Sequence, residues 1–134
     1  MHTTIQYNGW VGPNPKGYTT SATVHEKMET AFVDANFPQL QFSDLVPAKP
    51  ELLTDPFNDY LKYLQASHAL VEQTYQLEKE GGFDGEGTPD SRDFIRHRLA
   101  AGAAMLRNMW FSAWMQSAQE PNTAAVAAPE AAKH

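Results

Sequence analysis

Thr88-Pro89-Asp90-Ser91-Arg92-Asp93-Phe94-Ile95-Arg96-His97-Arg98-Leu99-Ala100-Ala101-Gly102-Ala103-Ala104-Met105-Leu106, running on through Arg107-Asn108-Met109-Trp110-Phe111-Ser112-Ala113-Trp114, is the stretch that decides the fold. Thr88-Pro89 is a helix start signal, with proline tolerated in the first turn because its missing N–H has no partner there anyway. Asp90 and Asp93 follow in that turn, where the helix dipole favours negative charge. Ile95, Leu99, Gly102, Leu106, Met109 and Ala113 then recur at three- and four-residue steps, so the spacing predicts a helix over about 90–118. The run 100–104 has almost no side-chain bulk and allows another helix to approach closely. Phe111 and Trp114 lie off the inner stripe, and with Trp110 they make the last third apolar almost all round. Such a helix needs cover on two sides, and the rest of the chain offers few elements to supply it.

Upstream, Thr54-Asp55-Pro56 begins a second helix over about 56–80, which Gly81-Gly82 stops. Phe57, Tyr60, Leu61, Leu64, His68, Val71 and Tyr75 share one predicted face. A third helix is expected at roughly 21–35, with Thr19-Thr20-Ser21 as cap hydroxyls and Val24, Met28, Ala31, Phe32 and Ala35 as its apolar stripe. Residues 36–53 are a connector in which Pro38, Pro47 and Pro50 block a long helix. Residues 81–88 are a glycine-rich loop. Residues 1–19 are turn-rich, punctuated by Asn8-Gly9 and Gly12-Pro13-Asn14-Pro15, with Tyr7, Trp10 and Tyr18 as aromatic anchors. Residues 119–134 are an Ala/Pro-rich tail outside the core. The expected class is all-α: three main helices behind an N-terminal loop.

The bulk properties narrow the chemistry. A chain of 134 residues has room for one hydrophobic core. Its 42% apolar and 19% charged content is that of a folded domain. Sixteen acidic against ten basic residues give a net charge of −6, which repels a phosphate backbone. Arg92, Arg96, Arg98 and Arg107 are too few, and too well balanced by acids, to form a basic stripe, so a nucleic-acid-binding module is disfavoured. There is no cysteine, so any metal must rest on His and carboxylate. The opening residues show no basic segment followed by an apolar run, so no signal peptide is expected in them.

One His/acid pair has ligand spacing. In His25-Glu26-Lys27-Met28-Glu29, a four-residue step on a helix brings the two side chains to about 5–6 Å at Cβ, close enough to share an ion. Spacing alone is common, and His68 with Glu72 repeats it. His68, however, falls in an apolar stripe and is expected to be a core histidine. His97, between Arg96 and Arg98, reads as solvated, and His134 as chain end.

The segment Met1-His2-Thr3-Thr4, then Asn8-Gly9-Trp10, then His25-x-x-x-Glu29, resembles the zinc-dependent phospholipase C and S1/P1 nuclease superfamily. Ala66-Ser67-His68-Ala69-Leu70 and Arg98-Leu99-Ala100-Ala101-Gly102 also resemble bacterial members, so the likeness extends over about residues 1–118. It implies a partial helical zinc-hydrolase domain in which His2, His25 and Glu29 hold one zinc ion, one of three in a complete enzyme. It implies export, and it implies a phosphodiester substrate, with Trp10 and Tyr18 as candidate pocket residues. The family's N-terminal Trp ligand, upstream His and Asp ligands and two further His are not found here, and Met1 reads as an internal residue. The expectation is therefore the C-terminal part of such an enzyme, inactive alone. Its partner would be the missing N-terminal half or another chain, docked on the apolar helix surface 105–115. The alternative is a non-catalytic helical interaction subunit derived from that fold.

Overall fold

The computed structural model describes residues 8–118. They form an all-α fold with no strand among them, and the three expected helical stretches are present. The first, α1, covers residues 24–36. It is built from α-helical Val24–Glu26, a π-helical stretch Lys27–Ala31 and α-helical Phe32–Asn36. Two short 3₁₀ turns, Phe37–Gln39 and Ser43–Leu45, lead into the connector.

The second stretch is two helices, α2 (Pro56–His68) and α3 (Val71–Lys79), where periodicity predicted one. Asp55 caps α2, its carboxylate accepting from the Asn58 amide at 3.2 Å. The chain turns at Ala69-Leu70, with the Leu70 amide donating to the Ser67 carbonyl and the Leu70 carbonyl accepting from Thr74. The turn separates two packing duties. Residues of α2 lie along the last helix, whereas Leu70, Val71, Tyr75 and Leu77 reach the main core. His68, expected in the core, is exposed. Phe57, Tyr60 and Leu61, expected on the buried face, are exposed as well.

The last helix, α4 (Pro89–Ser117), starts where the sequence placed it. Thr88 and Ser91 form a reciprocal capping box, each side chain bonded to the other's backbone amide. Its first half contributes Phe94 and Ile95 to the core, alongside Tyr18, Val24, Met28, Phe32, Leu40, Tyr75, Leu77 and Phe83. Each fully buried large apolar side chain there contributes about 1.5–3 kcal/mol. Its second half runs antiparallel to α2: Arg98 lies near Ser67, Gly102 faces the Tyr63 hydroxyl, and Ser112 accepts from the Leu53 amide at 2.8 Å. The connector is strapped along the same helix. Arg96 donates to the Gln41 carbonyl and the Asp44 carboxylate, Arg107 to the Pro47 and Lys49 carbonyls, and Asn108 accepts from the Glu51 amide. The arginines are thus spent on internal bonds. The expected inner stripe is partly displaced, since Leu106 and Ala113 are exposed while Ser112 is buried.

Candidate metal centre

The two helical ligand candidates are brought together at the start of α1. His25 Nε2 and Glu29 Oε2 stand 3.0 Å apart, with side-chain exposures of 43% and 13%. The imidazole is open to solvent while the carboxylate is sunk against the fold. The pair straddles the junction of the α-helical and π-helical parts. In the π turn the Phe32 amide bonds to the Lys27 carbonyl, five residues back. A turn widened by one residue reorients the side chains that follow it, and such turns concentrate at functional sites.

What fixes the helix start was not legible as a local signal. The hydroxyls of Thr19-Thr20-Ser21 were expected to cap it, yet α1 begins at Val24 and the residue in the capping position, Thr23, makes no side-chain cap bond. The cap comes from the loop instead. Asn8 Oδ1 accepts from the His25 amide at 2.9 Å, and Asn8 Nδ2 donates to the Ala22 carbonyl at 2.9 Å. Further along, Lys27 Nζ donates to Glu78 at 3.0 Å and Asp84 at 2.7 Å, tying α1 to α3 and the 81–88 loop. Partial burial opposes the Lys27 charge, but the bonds to Asp84 and Glu78 outweigh it and hold its pKa above the ordinary lysine value.

The loop itself is packed against α3. Trp10 lies 4.7 Å from Tyr18 and 5.2 Å from Tyr75, ring centroid to centroid, the second contact edge-on. The Gly9 amide donates to the Tyr75 hydroxyl at 3.1 Å. Burial pushes the Tyr75 pKa up. Gly9 is required: its φ is +121°, and a Cβ there would stand 2.6 Å from the Thr20 carbonyl oxygen. The Tyr18 hydroxyl donates to Glu72, which also receives Lys16. Trp10 and Tyr18, the candidate pocket residues, line a concavity of 260 Å³ together with Pro13, Asn14, Lys16 and Glu72.

His2, the third candidate ligand, lies outside the described residues. Among those described, no three His, Cys, Asp or Glu side chains converge as a metal site. His68 does not join one. His97 is exposed, and its Nδ1 faces Asp93 Oδ2 at 3.3 Å. Asp93 and His97 stand a four-residue step apart in the sequence, the spacing that brings two side chains together on a helix. No family model matches the sequence, and no curated protein or solved structure matches it either.

Proposed function

We propose that this chain supplies one zinc position, held by His2, His25 and Glu29, to a zinc-dependent phosphodiesterase of the nuclease or phospholipase C type. The observation that carries the reading is the His25–Glu29 pair, nitrogen to oxygen 3.0 Å across one helix face. Two donors bound to zinc at about 2.0–2.2 Å in a roughly tetrahedral arrangement stand about 3.3–3.6 Å from one another, a few tenths of an ångström wider than this pair. The pair needs little rearrangement to share an ion, and the donor set of imidazole and carboxylate is one zinc accepts.

His2 is tethered to this pair by short chain. Asn8 is bonded to the His25 amide, and it stands six residues after His2 in the sequence. At full extension that span reaches about 20 Å, so His2 is within reach of the pair. Two imidazoles and one carboxylate leave a coordination position open, as in catalytic rather than structural zinc sites. A zinc ion held there would supply a water of lowered pKa and a counter-charge for phosphoryl oxygens. The chain's own residues do the holding. Glu29, sunk against the fold, is the less accessible donor, and His25, its side chain 43% exposed, is the more accessible one.

The resemblance implies two further ions whose ligands are not in this sequence, so the chain alone binds one zinc and turns over no phosphodiester. The exposed stripe Leu106, Trp110 and Trp114, at 50%, 70% and 66%, favours docking of the enzyme's helical remainder. The same stripe supports the second reading, an interaction subunit without catalysis. Metal analysis of the purified chain and of His25→Ala tests the site. About one zinc per chain is expected for the first and almost none for the second, and equal content in both overturns it.

A further inference from the structure

We infer that Asn8 is a positioning residue for the metal pair, a role that rests on the zinc reading above. Helix α1 carries His25 and Glu29 but has no side-chain cap of its own. Its second backbone amide, that of His25 itself, is satisfied by Asn8 Oδ1 at 2.9 Å. A capping oxygen normally comes from the residue that begins the helix, and here it comes from seventeen residues upstream. The second arm of the same amide, Nδ2, holds the Ala22 carbonyl at 2.9 Å, so the carboxamide grips the chain on both sides of the helix start.

Asn8 is itself held. The next residue, Gly9, donates its amide to the buried Tyr75 hydroxyl, and Trp10 N–H bonds to the Thr19 carbonyl at 2.8 Å. The loop is therefore anchored on α3 before it reaches α1, and Asn8 transmits that anchorage to the backbone of His25. The outer partners of metal ligands govern affinity in this way by fixing orientation without touching the ion.

The test uses the full chain and zinc alone, with affinity read by competition against a chromophoric chelator. Asn8→Ala is expected to weaken zinc binding about tenfold to a hundredfold, the usual range for loss of an outer partner. Asn8→Asp keeps the acceptor for the His25 amide and is expected to recover most of that loss. Ile95→Val thins the core on α4 without touching the loop, and serves as a control for stability alone; it is expected to bind within about twofold of the parent chain. In the cobalt-substituted protein, Asn8→Ala is expected to shift the visible ligand-field bands, whereas Ile95→Val leaves them in place. Equal affinity for Asn8→Ala and the parent overturns the positioning role, as does a loss matched by Ile95→Val. A parent chain that binds no zinc, or a His25→Ala chain that binds it equally, overturns the site and the positioning role together.

Discussion

Gly85 and Gly87 share almost the same backbone, with φ of +55° and +59°, and differ in the space around them. A Cβ on Gly85 would meet nothing within 4 Å; one on Gly87 would stand 2.1 Å from the Gly82 carbonyl oxygen, 2.5 Å from Phe32 Cε2 and 2.9 Å from Ser91 Oγ. Gly85→Ala therefore costs only the left-handed backbone, about 1–2 kcal/mol. Part of that is offset by the stiffer unfolded chain, about 0.4–1 kcal/mol. Gly87→Ala bears the same backbone cost and adds overpacking of about 1–3 kcal/mol. Its total is about 2–4 kcal/mol, on the order of 10–20 °C in Tm for a domain near this size. Gly82→Ala separates the components. Gly82 lies outside the positive-φ set, yet its Cβ would stand 2.7 Å from the Leu77 carbonyl oxygen. Urea unfolding followed by far-ultraviolet circular dichroism, with an unchanged denaturant slope, gives the three values. The expected order is Gly87→Ala most destabilised, with Gly85→Ala near the parent. If Gly87→Ala falls within about 0.5 kcal/mol of Gly85→Ala, the 81–88 loop has slack. The loop is then not closed tightly on Phe32 of α1.

Three further outcomes are expected. Ser112→Ala leaves the buried Leu53 amide without its 2.8 Å acceptor and should lower stability by about 1–3 kcal/mol, read from the urea midpoint. Trp110→Gln and Trp114→Gln, at largely exposed positions, should each move the same midpoint by less than about 0.5 kcal/mol, and a larger loss contradicts their reading as docking residues. The Lys16 and Tyr18 hydrogen bonds hold the Glu72 carboxyl below the usual glutamate range. A folded pKa below the unfolded one stabilises above the unfolded value and is lost as pH falls through the folded one. The stability gap between the parent and Glu72→Gln should therefore narrow on acidification, and a gap constant with pH refutes the pairing.

Legibility followed the range of the interactions. The α4 start was readable because a Thr88–Ser91 capping box and a proline act within one turn. The His25–Glu29 approach was readable for the same reason, a four-residue step on a helix. The break at Ala69-Leu70 carries no glycine or proline, so nothing local announced it. It arises because Tyr63 packs against α4 while Tyr75 packs against Trp10 and Tyr18 of the 8–19 loop, two directions that one straight helix does not serve. His68 and the Asn8 cap failed to read for related reasons: the first depended on where α2 came to lie, the second on a loop folded back across seventeen residues.

The sequence by itself determined the all-α class, the spans of the first and last helices to within a few residues, and the pairing of His25 with Glu29. These rest on periodicity, capping and i to i+4 spacing, which are properties of the local chain. Only the tertiary structure decided that the second stretch is two helices, that α1 passes through a π turn, and that its cap comes from Asn8. It also decided that the connector covers one side of α4 and α2 another, leaving the Trp110–Trp114 stripe bare. Each of these is a competition between distant segments for the same surface, and such a contest is settled by three-dimensional packing.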